Sequence, residues 1–169
     1  MTAFTIEVKD SGIQAALDAL AAKVGNMQPI LQTIGEDIKA RSENRFKINT
    51  GPDGQRWLPN ERSTMEAYIR KQGGSGKKGI NKKGQTLAVS KLPLIGITKN
   101  LMSKFHYHAD AHSVTVSNIM KYAAIQQFGG QAGPGKQVKI PARPFLPVRL
   151  DGSLYPQDQA KILDLLNGY

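Results

Sequence analysis

The chain's three histidines all fall between residues 106 and 112. On a strand, side chains two apart share a face, so His106 and His108 would project together, and His112 could return from a partner strand. Three imidazoles make an adequate ligand set for Zn²⁺. No carboxylate or fourth histidine is clearly placed to complete it, so the pattern reads as a solvent-facing polar stripe and no metal is expected. A hydrolase needs a nucleophile with a base in reach, or two carboxylates with separated pKa values. Ser103 lies near His106 with no third group to orient the base, and there is no cysteine. Glu36, Asp37, Glu43, Asp158 and Asp164 sit on helices and turns without a pattern that would bring them together. Asp53 beside Gly54 lacks the ordered oxygen ligands of a metal loop. The residues therefore predict neither an enzyme nor a bound cofactor. Without cysteine, disulfides and thiolate metal sites are also excluded, which fits a reducing compartment.

The chemistry that remains is electrostatic. The formal charge is +10 and the pI about 9.9, a balance that favours acidic partners. No Asp or Glu occurs from 67 to 109, whereas Arg70, Lys71, Lys77, Lys78, Lys82, Lys83, Lys91, Lys99 and Lys104 all do. Within that region, 72–86 is rich in Gly and Lys and holds too few apolar residues to fold by itself. It is predicted to be a mobile insert and is no Walker loop. Lys77, Lys78, Lys82 and Lys83 on such a tether could follow a nucleic-acid backbone without reading sequence. Base-stacking aromatics are missing from the insert.

The elements that would position these groups are those of a small α+β protein. Phe4, Ile6 and Val8 alternate with polar residues, as on a half-buried strand over 2–8. Asp10 or Ser11 can cap a helix carrying Ile13, Leu17, Leu20 and Val24. Pro29 opens a second helix, striped by Ile30, Leu31, Ile34 and Ile38, that should run to about Lys47. Asn49 to Gly54 is dense turn chemistry, followed by Trp57, which suits either a core anchor or an exposed hot spot. A short helix is predicted over 63–71 with Ser63 as cap, another through Leu101, and a hairpin over 104–117 turning near Asp110. A final helix after Pro156 turns Ile162, Leu163, Leu165 and Leu166 inward. Residues 1–169 read as one domain, large enough for a hydrophobic core. No run is long and apolar enough to cross a bilayer, and residues 1–10 do not look like a signal peptide.

The remaining segments are the most distinctive. Tyr122-Ala-Ala-Ile-Gln-Gln-Phe-Gly-Gly130 is an apolar run, expected as helix or strand, that ends on a glycine pair, and 131–139 reads as an exposed, mobile loop. Ile140-Pro-Ala-Arg-Pro-Phe-Leu-Pro147 follows, with two prolines fixing their own φ and biasing Ile140 and Arg143 toward extended angles. That makes a stiff arm presenting Arg143, Phe145 and Leu146 to a surface. An extended strand through Val148 and Leu150 is expected after it.

These two segments, together with Arg45-Phe46, Gly51-Pro-Asp-Gly-Gln-Arg-Trp-Leu-Pro59 and Leu94-Ile-Gly-Ile-Thr-Lys-Asn-Leu-Met-Ser103, resemble the virion morphogenesis (tail-completion) proteins of tailed phages of the Mu-like type. The resemblance extends from about Leu17 to Leu166. Within Leu94–Ser103, Ile97-Thr98 stands where such proteins usually carry Thr-Gly. The resemblance implies a structural protein of the virion neck and tail, assembled in the host bacterial cytoplasm, that completes the tail and joins it to the capsid. It implies a cyclic homo-oligomer, with a hexamer expected, around the DNA channel. Implied neighbours are other neck, tail-terminator or head-completion proteins, with non-specific contact to phage DNA and no membrane partner. A ring uses two different patches per copy, and the candidate residues are Trp57, Tyr122, Gln126, Phe128, Arg143, Phe145 and Leu146, with Lys77, Lys78, Lys82 and Lys83 toward the lumen. On this reading Arg143→Ala would leave the fold intact and impair joining. The alternative is a sequence-independent nucleic-acid-binding protein using 70–104.

Overall fold

Asp10 starts the first helix. Its carboxylate accepts from the Gly12 and Ile13 amides at 3.1 and 3.0 Å, satisfying two N–H groups that have no partner inside the helix. Helix α1 spans Ser11–Ala21 and buries Ile13 and Leu20. The structure, a computed structural model, describes residues 5–77 and 79–169. The strand predicted over 2–8 does not form across the described residues 5–8, while 2–4 lie outside them. Alternation alone makes no strand without a neighbour to pair with. Among the described residues, a backbone bond beside it runs from Lys9 N–H to the Gly152 carbonyl, and Val8 is left 46% exposed.

Helix α2, Gln28–Ile48, runs 21 residues with Pro29 in its first turn. It ends on Asn49, whose φ of 58° is left-handed, a conformation asparagine tolerates better than most residues. The helix lies across a hairpin of β3 (Phe105–Ala109) and β4 (Val114–Asn118), paired Phe105 to Asn118 through Ala109 to Val114. Between α2 and this hairpin come α3 (Arg62–Lys71), β1 (Ser75–Gly76), β2 (Gly79–Ile80), α4 (Lys82–Ser90) and the one-turn α5 (Asn100–Ser103). Gly35 lets α2 and the hairpin approach closely: a β-carbon there would fall 2.7 Å from Tyr107 Cδ2 and 2.8 Å from Val114 Cγ2. On the opposite face His106 and His108 are exposed beside Ser117 and Thr115, and His112 lies in the turn.

Asp110 closes that turn by accepting from the amides of His112 and Ser113 and from the Ser113 hydroxyl. These bonds, led by the one from the His112 amide, hold its carboxyl below the ordinary 3.8. A depressed carboxylate stabilises the fold above its ordinary pKa and loses that contribution as pH falls through the lowered value. NMR titration of Asp110 should therefore give a midpoint below 3.8, with the turn amides losing their hydrogen-bonded shifts over the same acid range.

Where composition predicts a mobile insert over 72–86, the described residues carry the β1–β2 ribbon and the start of α4. The elements pack on one another through Ile69, 3% exposed, and through Gly74 and Gly84. A β-carbon on Gly84 would sit 2.0 Å from the Gly74 carbonyl oxygen, so only hydrogen fits. Helix α3 is preceded by Glu61 at its cap position and draws no side-chain cap from Ser63.

Lys99 precedes α5 with φ 51° and no side-chain cap. A β-carbon in that region costs roughly 1–2 kcal/mol. Lys99→Asn, which tolerates the conformation, is expected to raise stability by about 0.5–1 kcal/mol in denaturant unfolding. A neutral or negative effect would show that the lysine is relaxed there.

Helix α6 (Ala123–Phe128) precedes a second ribbon, β5 (Gly130–Ala132) with β6 (Val138–Ile140), joined by a 3₁₀ turn at Pro134–Lys136. The loop expected at 131–139 is exposed over most of its length, as predicted, and its ends pair as a ribbon. Past the arm, Val148 makes a single bridge to Leu154 in place of the predicted strand. Helix α7, Pro156–Asn167, closes the molecule, burying Ile162 and Leu166 beside Ile13 and Leu20 of α1 in one apolar core. The α+β class holds, with its strands divided into three two-stranded antiparallel ribbons among the described residues.

Four aromatic rings form the centre. Phe46 packs edge-on to Trp57 at 5.1 Å between centroids and lies 5.4 Å from Phe145, which in turn is 5.7 Å from Phe105. Edge-to-face geometry at these separations is the favoured arrangement of aromatic quadrupoles.

Candidate assembly site

The glycine-terminated run and the proline-rich arm meet, and the sequence makes them meet in three ways. The Gln126 carbonyl accepts from the Arg143 amide at 2.8 Å. Gly129 turns with φ 73° and lies so close to the arm that a β-carbon would be 2.9 Å from the Ala142 nitrogen and 3.0 Å from the Ile140 oxygen. Only glycine meets both demands. Gln127, 1% exposed, then uses its whole amide. Its oxygen accepts from the Phe145 and Leu146 amides at 2.8 and 2.9 Å, and its nitrogen donates to the Leu146 and Val148 carbonyls at 3.2 and 3.0 Å. A primary amide offers two donors and two acceptor sites, and all four are filled.

The arm's own side chains turn inward. Phe145 is fully buried and Leu146 is 7% exposed. Trp57 is a core anchor, 6% exposed, donating its indole N–H to the Pro144 carbonyl at 2.9 Å. Arg143 donates from Nε to the Leu58 carbonyl and from Nη2 to the Pro59 carbonyl, each at 2.8 Å. Burial pulls the pKa of its guanidinium down from the usual arginine value, with Glu61 opposing, and an arginine shifted in this sense still carries its charge at neutral pH.

Trp57, Arg143, Phe145 and Leu146, expected to face another copy, are thus engaged within their own chain. A stiff arm carrying Phe145 is hydrophobic whichever molecule covers it, and the nearest cover is the protein's own aromatic centre. Tyr122 stays outside, 45% exposed, while Gln126 and Phe128 are half-buried. Arg143→Ala is now expected to cost about 1–2 kcal/mol in thermal or denaturant unfolding, because two carbonyls lose a charged donor and regain only water. Full retention of stability would mean that the loop at Leu58 and Pro59 holds without it.

Two buried groups beneath the arm lie outside the candidate residues. Arg45 donates from Nη1 to the Phe145 carbonyl at 2.7 Å and from Nη2 to both oxygens of Asp158 at 2.6 and 2.7 Å. Arg41 also donates to Asp158 and pairs with Asp37. Asp158 is 1% exposed, in the first turn of α7. Burial lowers the Arg45 pKa, and the Asp158 carboxylate opposes it. Arg45 falls seven residues after Ile38, in register with the apolar stripe of α2, which is the sequence signal for it; Gln127, within an apolar run, carries none.

What the surface leaves open is apolar in places. Ile119 and Tyr122 precede α6, Val138 lies on β6, and Leu58 is 58% exposed. Leu58 lines a shallow groove of about 420 Å³ with Glu61, Arg62, Lys139 and Pro141. Lys77 is exposed between β1 and β2, Lys82 and Lys83 are exposed in the first turn of α4, and Lys78 lies outside the described residues. No helix is long and apolar enough to cross a membrane among the described residues.

Residues 8–169 match the phage virion morphogenesis family. The chain belongs to that family. Among its relatives is "Mu-like prophage FluMu G protein 2" of Haemophilus influenzae (strain ATCC 51907 / DSM 11121 / KW20 / Rd), 44% identical over 157 residues that cover 93% of this chain and 88% of the relative. No solved structure matches the chain. Membership in the phage virion morphogenesis family gives the protein a role in phage virion assembly and makes it a virion component. The family is one of structural morphogenesis proteins, not a known class of enzymes.

Proposed function

We propose that the protein completes the phage tail and joins it to the capsid, acting in the neck as a ring of identical copies, six expected, around the DNA channel. Its neighbours on this reading are other neck, tail-terminator or head-completion proteins. The observation that carries the reading is membership in the virion morphogenesis family over nearly the whole chain. The exposed apolar side chains support it: Leu58, Ile119, Tyr122 and Val138 offer apolar surface for a contact between copies, which in a ring joins two different patches. With the arm locked inside, the joining surface is assigned to these residues and to the half-buried Gln126 and Phe128.

Two measurements test it. Light scattering of the purified protein should give a mass near six protomers, little changed by moderate salt, and Tyr122→Glu should reduce it. In cells producing the phage without this protein, electron micrographs should contain DNA-filled heads and separate tails. Lysates with heads but no tails, or with normally joined particles, would place the protein at another step.

A further inference from the structure

The helix–ribbon–helix unit from 62 to 91 gathers cations at one end. The last turn of α3 carries Arg70 and Lys71, the β1–β2 turn carries Lys77, and the first turn of α4 carries Lys82 and Lys83. These turns are held together by backbone and by Asn81. The Asn81 amide donates to the Gly74 carbonyl, its side chain donates to the Gly73 carbonyl, and its side-chain oxygen caps α4 at the Gly84 amide. Lys83 Nζ reaches to 3.9 Å from where a Gly73 β-carbon would stand, which fixes the two helix ends as neighbours. All five cations are exposed, and among the described residues none forms an ion pair. Lys82 and Lys83 also occupy the positive end of a helix dipole, which disfavours them. A local rule broken with no compensating carboxylate marks a site shaped by something outside the fold.

We infer that this end of the unit binds the phosphate backbone of double-stranded DNA without reading its sequence. Duplex DNA presents one charge per ~1.7 Å of axis, a density that isolated ammonium groups on short, ordered elements can match. Lysine is depleted from protein–protein interfaces, which argues against an acidic protein as the ligand. The unit offers no row of aromatic rings, which argues against single strands. Because the cations sit on structured elements fixed by the Gly74–Gly84 contact, binding does not have to order a loose tether. The inference does not need the ring: a single copy binds in the same way.

The test uses the full chain and a fluorescein-labelled duplex of about 30 base pairs, followed by anisotropy from 50 to 200 mM NaCl. With four to five phosphates neutralised, log K should fall against log salt with a slope near −4, a loss of roughly 150–500-fold across that range. Lys82→Gln with Lys83→Gln should shallow the slope by about 2, and Lys77→Gln by about 1, with circular dichroism unchanged. Two unrelated duplex sequences should bind equally. Absence of binding at 50 mM salt, slopes unmoved by either variant, or a marked preference between duplexes would overturn the inference. So would polyglutamate competing as well as DNA per unit charge, which would make the ligand an acidic protein. A ring that assembles without binding DNA, or a monomer that binds it, separates this outcome from that of the tail-joining proposal.

Discussion

Asp158→Ala should lower the free energy of unfolding by about 3–5 kcal/mol, the cost of leaving a buried charge without its partner. Asp158 receives both oxygens' worth of bonds from Arg45 and a further one from Arg41. Arg41 keeps Asp37 after the substitution, but Arg45 would retain only the Phe145 carbonyl. Against a total stability of about 5–15 kcal/mol, a loss of this size shifts the denaturant midpoint far enough to read directly. Removing both charges tests the cause. Arg45→Met combined with Asp158→Leu replaces the pair with apolar groups of similar volume and should recover most of the loss. A single substitution that costs under 1 kcal/mol, or a double one that is worse than either, would show that the pair is not what holds α7 to α2.

Gln127→Ala is expected to cost about 4 kcal/mol by a different route. It strands two amides and two carbonyls of 145–148 in the interior, each unsatisfied group costing about 1–3 kcal/mol, partly offset by water that enters the space. Gln127→Glu should not rescue it, because a carboxylate can still accept from Phe145 and Leu146 but can only repel the Leu146 and Val148 carbonyls. Hydrogen exchange gives the decisive readout: the amides of Phe145 and Leu146 should lose protection in both variants before the rest of the core does. Unchanged protection there would mean that the arm is seated by Phe145 packing alone.

Much of the framework is legible in local signals. Asp10 caps α1, the apolar stripe of α2 is helical in period, and the alternation over 105–118 gives the hairpin and its turn at Asp110. The ribbon and α4 are not legible, because what folds them is contact between elements. Gly74 and Gly84 read as flexibility in a composition and act as close backbone packing in space. The arm shows the same limit. Three prolines and a phenylalanine announce a stiff hydrophobic segment, yet nothing within 140–147 says whether its own molecule or a neighbour will cover it. The answer depends on Phe46, Trp57 and Phe105, brought from far along the chain. Gln127 was hidden because a glutamine within an apolar run looks like a surface position until four backbone groups of another segment surround it.

The carboxylate that neutralises two arginines of the second helix comes from the last one, and Gln159 of that last helix also bonds Asp10 at the start. A nascent polypeptide therefore cannot complete its interior until translation is nearly finished. Products cut short before Asp158 would carry unpaired positive charge where the aromatic centre should close and would be open to proteolysis. In virion assembly, that dependence leaves a truncated chain without the closed interior of the full-length protein.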